Sequence, residues 1–427
     1  MNYLNISQKL LLLTAMLTLV GCSYDDIYRN NYQPCSASAT DSCDQHSVQL
    51  YNKDSNDEYL LGFVEIDDQG QLRDRQQMVA LLNQLYAASA DKRLLLNVFV
   101  HGWHHNAAPG DSNIEGFKKN LAKLAAIERQ IHGDKPRKVI GIYVGWRGES
   151  IDVPGINMLT FWDRKNTAQD VGYLGITELL LKLEEIRNVQ HSQAAPGELK
   201  TRLIITGHSF GGAVVQNATT QILVNRFIDS NQSKNFTDNA KGFGDLVILL
   251  NPAFEALQYA PLYDLAQARC GYFPSQRPRL AILTSRADWA TKLAFPAGRM
   301  FSTFFETHDT FQRTECQRTW EVDEGAADRS TVGHYVPFIT HTLALTEPNK
   351  TMQASELAAI TSKWQHQTPG ASIQYGPTLL THLDKTTMLN PYLNIQVNKE
   401  IIADHNDIFN EQLMEFLRML TVLSTSE

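Results

Sequence analysis

The sequence predicts an α/β fold built on a doubly wound, mostly parallel sheet, with an insertion before the last strand. Short runs rich in Val, Ile and Leu recur along the chain, as in "LLLNVFV" (94–100) and "KVIGIYVGW" (138–146). Strands that are apolar throughout are typical of a parallel sheet covered on both faces. The segments between them carry apolar residues at helical spacing, so strands and helices alternate as in α/β proteins.

The predicted elements follow one another from residue 60 onward. Predicted strands occupy 60–66, 94–100, 138–146, 202–206, 245–251, 279–285 and 391–402. Predicted helices occupy 74–89, 113–131, 168–188, 211–228 and 410–423. Residues 296–390 interrupt the alternation, and we expect them to form an insertion or cap. One domain, 59–427, therefore contains the sheet.

The first 21 residues carry the pattern of an export signal. Lys9 is their only charged residue, and the apolar run from 10 to 20 is too short to span a bilayer. The run ends in Leu-Val-Gly-Cys22, which resembles the lipobox of bacterial lipoproteins, whose cysteine is lipidated and becomes the new N-terminus. An ordinary signal peptide that contains a cysteine is the alternative. Ser23 favours the outer membrane by the same resemblance, so we expect a lipid-anchored envelope protein facing the periplasm or the cell surface.

Residues 22–58 are polar and without periodicity, which predicts a tether between membrane and domain. Four cysteines remain besides the one in the lipobox: Cys35, Cys43, Cys270 and Cys316. An even number in an exported chain indicates two disulfides. Three connectivities are possible, one of which pairs Cys35 with Cys43 and Cys270 with Cys316. Free buried thiols are the alternative.

Charge and motif content exclude some classes of partner. Lys and Arg number 38 against 46 Asp and Glu, giving a net charge of −8, which argues against a nucleic-acid partner. The zinc-ribbon spacing of two Cys-x-x-Cys pairs is absent from the sequence. His101, His104 and His105 form an H-x-x-H-H pattern without an acidic ligand close by in the sequence. We therefore expect neither a metal nor an organic cofactor.

The segment "TGHSFGG" (206–212) contains a G-x-S-x-G motif between a predicted strand and a predicted helix. In that context the motif is typical of a nucleophile on a sharp turn, with its hydroxyl above the carboxyl edge of the sheet. Gly207 and Gly211 suit a tight turn that other backbone must approach. Ser209 is therefore the candidate nucleophile.

Two backbone amides are candidates for an oxyanion hole. Phe210 follows the serine at the start of a helix, where N–H groups point outward. The strand 94–100 ends in His101-Gly102-Trp103, a turn that can direct the Trp103 amide toward the same oxygen. The sequence therefore predicts Trp103 and Phe210 as the two donors.

The acid and the base are sought at the carboxyl ends of the later strands. Asp288 lies three residues after the strand 279–285, where its carboxylate can orient an imidazole; Glu255 is the alternative acid. His405 lies in the loop between the last strand and the closing helix, so it can reach the serine; His334, in the insertion, is the alternative base.

The motifs "VHGW", "GHSFGG", "SRADWAT" and "DHNDI" occur in this order on alternating elements and resemble those of the α/β-hydrolase fold superfamily. The chain order Ser…Asp…His is also the order in that superfamily. Over residues 59–427 the resemblance implies a sheet of the α/β-hydrolase type, with 296–390 departing from the common core. It also implies a serine hydrolase.

We therefore expect hydrolysis of carboxylic esters or thioesters, with a small-molecule or lipid ester as substrate. Two other functions stay open, because this fold hosts several chemistries. One is a catalytically silent envelope binding protein. The other is an amidase or peptidase that uses the same triad.

Overall fold

The computed structural model describes residues 27–38, 42–148, 157–232, 235–236, 238–303, 305–350, 356–357 and 359–425. The predicted signal peptide (1–21) and the predicted lipidation site, Cys22, lie outside the described residues. Within the described ranges, no helix combines the length and the apolar character that crossing a bilayer requires.

The described residues form one large mixed sheet and two small two-stranded sheets. The strands are β1 (Cys35–Ser36), β2 (Val48–Tyr51), β3 (Tyr59–Ile66), β4 (Leu94–Val100), β5 (Lys138–Trp146), β6 (Arg202–His208), β7 (Asn231–Gln232), β8 (Asn235–Phe236), β9 (Leu246–Leu250), β10 (Leu280–Ser285), β11 (Thr310–Glu315), β12 (Arg318–Asp323), β13 (His341–Leu345), β14 (Ser372–Tyr375), β15 (Thr378–His382) and β16 (Tyr392–Val397). The large sheet has twelve strands in the order β1-β2-β3-β5-β4-β6-β9-β10-β16-β13-β15-β14.

Neighbouring strands of the large sheet run parallel from β3 through β13 in that order, and β2–β3, β13–β15 and β14–β15 are antiparallel. The α/β class with a large, mostly parallel sheet is therefore confirmed. β5 and β6 lie on opposite sides of β4, so the chain reverses its direction of winding at β4. The carboxyl ends of β4 and β6 thus flank the crevice where ligands bind in open α/β sheets.

Helices cover both faces of the large sheet. They are Arg75–Asp91, Ser112–His132, Asn157–Tyr173, Gly175–Ser192, Phe210–Asp229, Ala256–Ala268, Phe295–Ser302, Glu324–Arg329, Ile360–Gln365 and Glu411–Thr425. Successive residues of β4 point to opposite faces: Leu94 and Leu96 join one buried cluster with Leu183, whereas Phe99 joins a second cluster and stacks on Phe117 at 5.4 Å.

The predicted helix 168–188 is in fact two helices, Asn157–Tyr173 and Gly175–Ser192. The break falls at Leu174, whose backbone leaves the helical region (φ −116°, ψ −106°). The Gly175 N–H donates to the Gly70 carbonyl at 2.6 Å instead of continuing the first helix. A contact from a distant loop therefore divides a segment whose apolar periodicity continues across the break.

The structure also differs from the predicted tether, 22–58. β2 pairs antiparallel with β3, and its residues Val48 and Gln49 are buried. A four-residue edge strand gives too short an alternation to be distinguished from a polar loop by pattern. The sheet therefore begins at residue 35 rather than at 59.

The predicted insertion, 296–390, contributes three strands to the large sheet. β13 pairs parallel with β16, and β15 and β14 continue the sheet beyond it in antiparallel order. Among the described residues of this segment, the β11–β12 hairpin is the part that forms a separate sheet. The segment is thus partly an extension of the sheet, because short antiparallel strands need no crossover helix and interrupt the β–α alternation.

Two disulfides are present, Cys35–Cys43 and Cys270–Cys316. The first joins β1 to the turn before β2, and the second joins the segment after helix Ala256–Ala268 to the turn of the β11–β12 hairpin. The prediction of two disulfides is confirmed, and the structure selects one of the three connectivities.

Candidate active site

Ser209 lies on a sharp turn between β6 and helix Phe210–Asp229 and has a positive φ (φ 55°, ψ −121°). Non-glycine residues rarely adopt this conformation, and it costs on the order of 1–3 kcal/mol. The turn is held from β9 and the loop after it. The Ser209 N–H donates to the Leu250 carbonyl, and the Ser209 carbonyl accepts from the Ala253 N–H, both at 3.0 Å.

The two glycines of the motif are required by close contacts rather than by their backbone angles. A Cβ at Gly207 would lie 2.4 Å from the Gly211 carbonyl oxygen. A Cβ at Gly211 would lie 2.2 Å from the Val100 carbonyl oxygen at the end of β4. These approaches bring the start of the helix against the neighbouring strand, so the serine is positioned over the crevice beside β4.

Ser209, His405 and Asp288 form a hydrogen-bonded chain at the carboxyl edge of the sheet. The Ser209 Oγ lies 2.7 Å from His405 Nε2, and His405 Nδ1 lies 2.9 Å from Asp288 Oδ2. A carboxylate accepts only, so Nδ1 carries the proton and Nε2 is left to accept from the serine hydroxyl. The Asp288 side chain is fully buried, whereas that of His405 is 20% exposed.

The Asp288 carboxylate is held in its charged form by its partners. Burial by itself raises the pKa of this carboxyl group, but hydrogen bonds from His405 and Thr291 outweigh burial and lower it. The Thr291 N–H donates to Oδ1 at 3.1 Å, and the Thr291 hydroxyl donates to Oδ2. The acid is therefore ionised at neutral pH and fixed in orientation.

His334, the alternative base, contacts Thr291 instead of the serine. Its Nε2 lies 3.1 Å from the Thr291 hydroxyl oxygen. Burial lowers the pKa of His334 to about 4, so the imidazole is neutral at pH 7. The hydrogen bond to Ser209 Oγ is made by His405, so the structure favours His405 over His334 as the candidate base.

Glu255, the alternative acid, belongs to a buried ion-pair cluster. Its Oε1 lies 2.6 Å from Lys165 Nζ and 3.1 Å from Arg299 Nε. Its carboxylate makes these two ion pairs, whereas the carboxylate bonded to His405 is that of Asp288.

Two residues that the sequence analysis did not predict hold the loop of His405, the candidate base. His208 Nε2 and Asn251 Nδ2 each donate to the His405 carbonyl oxygen at 2.9 Å. The Asn251 Oδ1 also accepts the Ser285 N–H at 2.9 Å, which links the ends of β9 and β10. Burial, followed by the nearby His405, lowers the pKa of His208 to about 3, so this ring stays neutral. The signal for Asn251 was its place directly after a buried strand.

The turn that carries Trp103 packs against Ser209, the candidate nucleophile. A Cβ at Gly102 would lie 2.7 Å from the Ser209 Cβ, so this position accepts only glycine without movement. Trp103 is the next residue along the chain, and Phe210 is the first residue of the helix after Ser209. The two predicted oxyanion donors therefore lie close to the serine along the chain: Trp103 follows Gly102, which packs on Ser209, and Phe210 follows Ser209 itself.

The same turn is anchored to β5 through His101. The Trp146 N–H donates to His101 Nε2 at 3.0 Å, and the Trp146 indole N–H donates to the His101 carbonyl at 2.8 Å. The two rings stack with centroids 5.6 Å apart. Burial lowers the pKa of His101 to about 4, so its ring is neutral and serves as an acceptor. This histidine is engaged in shaping the turn.

Among the described residues, one group of three side chains has atoms close enough to share a metal ion, Glu306, His308 and Asp328. It lies in the predicted insertion. The Asp328 carboxylate already accepts two hydrogen bonds from Arg299, at 2.6 and 2.7 Å. This acid is thus part of the ion-pair cluster around Glu255.

Comparisons with protein-family models, with curated proteins and with solved structures return no match.

Proposed function

We propose that this protein is a serine hydrolase that cleaves carboxylic esters or thioesters through an acyl-enzyme intermediate. One observation carries the proposal: the chain Ser209–His405–Asp288, with successive distances of 2.7 and 2.9 Å. Nucleophile, base and orienting acid stand in the relation that this chemistry needs. The sequence resemblance to the α/β-hydrolase superfamily supports the same function. That the sheet is of the α/β-hydrolase type is also part of the proposal.

The proposed reaction follows from where the protons lie in the triad: one on the Ser209 hydroxyl and one on His405 Nδ1. His405 Nε2 takes the proton of the Ser209 hydroxyl as the oxygen attacks the acyl carbonyl. Asp288 holds the imidazole in place and stabilises the imidazolium that forms. The imidazolium then protonates the leaving alcohol or thiol, and the acyl group stays on the serine. Water, deprotonated by the same imidazole, releases the acid and restores the serine.

The negative oxygen of the tetrahedral intermediate is assigned to the backbone amides of Trp103 and Phe210. Support comes from the packing of Gly102 on the serine and from the position of Phe210 at a helix start. One donor of this kind is typically worth about 3–4 kcal/mol of transition-state stabilisation. The reaction requires no metal and no organic cofactor.

The anchoring of the protein is part of the proposal. Cys22, in its lipobox-like setting, would carry lipid chains that hold the domain at the bacterial envelope, with Ser23 favouring the outer membrane. Acyl chains contribute about 0.8 kcal/mol for each buried CH₂, so two or three of them give a lasting anchor.

Covalent labelling with a fluorophosphonate tests the nucleophile. We expect the full chain to be labelled, Ser209→Ala to remain unlabelled, and Ser192→Ala, an exposed serine at a helix end, to be labelled like the parent. Folding of each variant is checked by circular dichroism. A folded parent that never labels, or equal labelling of Ser209→Ala, would contradict the proposal.

A panel of p-nitrophenyl esters and matching p-nitroanilides then identifies the class of bond. We expect turnover of the esters and at least about a hundredfold slower turnover of the anilides, a difference of about 2.7 kcal/mol in activation free energy. Comparable rates on anilides would instead favour the amidase or peptidase reading of the same triad.

A further inference from the structure

An exposed apolar ridge follows the proposed acid directly in the chain. It comprises Trp289, Leu293, Met300 and Phe305, whose exposed fractions are 61, 54, 62 and 94%. Trp289 is the N-cap residue of the π-helical turn Ala290–Ala294, which continues directly into helix Phe295–Ser302. Leu293 and Met300 follow at spacings of four and seven residues, about one and two further helical turns, so the three side chains lie near one face. Four large apolar side chains this exposed within one short segment, 289–305, indicate a surface that meets another apolar phase.

The inner face of the same helical segment is fixed to the triad. Thr291, between the first two ridge residues, is buried and donates to the Asp288 carboxylate. The ridge therefore cannot shift far without disturbing the acid. The helical segment follows the carboxyl end of β10 in the chain, so the ridge begins at the carboxyl edge of the sheet.

The first described residues of the chain contact the same, carboxyl edge of the sheet. The N–H groups of Tyr28 and Arg29 donate to the Glu65 carboxylate at 3.1 and 2.9 Å, and Glu65 is the penultimate residue of β3. The Arg29 Nε–H donates to the Ala107 carbonyl at 2.8 Å, in the loop after β4. Cys22 is six residues before Tyr28, and six extended residues reach at most about 20 Å. A lipid on Cys22 is thus confined to the neighbourhood of this edge.

Strand spacing places Ser209 between the two features. Ser209 directly follows β6. In the sheet order β3-β5-β4-β6-β9-β10, β6 is three positions from β3 and two from β10. At about 4.8 Å for each step, these separations are about 14 and 10 Å. The first described residues and the ridge therefore flank the serine on one side of the molecule.

We infer that the ridge docks on the lipid bilayer that holds the acyl chains of Cys22, with the catalytic edge facing the membrane. The inference rests on the lipidation included in the proposed function. Tryptophan suits the boundary between headgroups and acyl chains, because its ring is apolar and its N–H is polar. Lys292 and Arg286, both exposed beside the ridge, suit anionic headgroups. The substrate that this orientation favours is an acyl ester held in the membrane.

Quenching by brominated lipids tests the docking. The lipid-anchored full chain with Ser209→Ala is reconstituted in phosphatidylcholine–phosphatidylglycerol vesicles whose acyl chains are brominated near the headgroups. Among the tryptophans whose side-chain burial the structure describes, Trp289 is the exposed one. We expect bromine to quench the emission, and Trp289→Phe to reduce the quenched fraction by about twofold or more, since an interfacial side chain lies within about 5–10 Å of the acyl boundary.

Two further variants, each with two substitutions, keep Trp289 as the fluorescent reporter. Leu293→Ser with Met300→Ser is expected to reduce quenching of Trp289, because the ridge loses apolar area. The matched control is Val189→Ser with Ile228→Ser, which removes two exposed side chains near the amino edge of the sheet and is expected to change nothing.

Three results would overturn the docking. The first is equal quenching in the parent and in Trp289→Phe, and the second is that Val189→Ser with Ile228→Ser reduces quenching as much as Leu293→Ser with Met300→Ser does. The third is a lipid-anchored chain that does not float with the vesicles in a density gradient. The measurement uses an inactive variant, so its result is independent of hydrolysis. If fluorophosphonate labelling fails while ridge-dependent quenching is seen, the docking stands and the hydrolase proposal falls.

Discussion

Replacing Asp288 by asparagine is expected to trap the base in the wrong tautomer. The Thr291 N–H, 3.1 Å from Oδ1, needs an acceptor, so the asparagine carbonyl oxygen takes that position. The asparagine NH₂ then takes the position of Oδ2, 2.9 Å from His405 Nδ1, and donates to it. The imidazole proton must move to Nε2, which can no longer accept from Ser209.

The expected loss follows from this inverted hydrogen bond. In Ser-His-Asp enzymes the same change lowers kcat by about 10⁴, equivalent to about 5 kcal/mol of activation free energy. The effect falls on the chemical step, because the imidazole is neutral in both tautomers and the mouth of the site is unchanged. KM for a small soluble ester is therefore expected to stay within about threefold.

The assay compares kcat and KM for p-nitrophenyl acetate, together with the rate of fluorophosphonate labelling. Asp404→Asn is the matched control: it makes the same chemical change in an exposed residue next to the base, whose carboxylate accepts from the Asn406 and Asp407 N–H groups. An amide oxygen can accept both, so activity is expected to fall by less than about threefold. A kcat for Asp288→Asn within tenfold of the parent, or an equal loss in both variants, would refute the role given to Asp288.

Three further predictions concern packing and stability. Gly102→Ala places a Cβ 2.7 Å from that of the proposed nucleophile and should lower kcat/KM for esters by about a hundredfold, whereas Gly271→Ala, with open space around it, should change little. Asp245→Asn should cost about 3–5 kcal/mol in urea unfolding at pH 7, because it leaves two paired arginines beside a neutral group. Burial by itself raises the pKa of the Asp245 carboxyl group, but its two arginine partners outweigh burial and lower it. The stability that this carboxylate contributes is therefore fully present above the unfolded-state pKa of about 3.9 and is lost as pH falls through the lower, folded-state pKa. The difference in unfolding free energy between the parent and Asp245→Asn should accordingly shrink below about pH 4. Replacing Cys270 and Cys316 by serine opens a bridge with a sequence separation of 46 and should lower the free energy of unfolding by up to about 4 kcal/mol. Unchanged urea midpoints would contradict the last two expectations.

The strongest sequence signals came from buried strands and from the residues directly after them. An apolar run such as 94–100 has a clear pattern because both of its faces are buried. The residues that follow such runs gather at one edge, so Ser209, Asp288 and His405 could be proposed together from their order alone. The structure brings these three into hydrogen-bond contact.

Features that depend on distant partners were not readable in the sequence. β2 is a strand because it pairs with β3, and Leu174 breaks a helix because Gly70 offers a carbonyl to the next residue. Asn251 ends the predicted strand 245–251, and its contact with the His405 carbonyl depends on a loop about 150 residues further along the chain. Each of these depends on a contact between positions far apart in the chain, and local periodicity carries no information about such contacts.

The backbone angles of Ser209 set the stability of the turn against the chemistry proposed for its side chain. Glycine at 209 would relieve a conformation that disfavours side chains, and we expect Ser209→Gly to tolerate more urea than the parent, if the strain of 1–3 kcal/mol is recovered even in part. A lineage selected only to keep this fold would drift toward glycine at that turn. The proposed nucleophile thus occupies a turn whose backbone, by itself, favours a residue without a side chain.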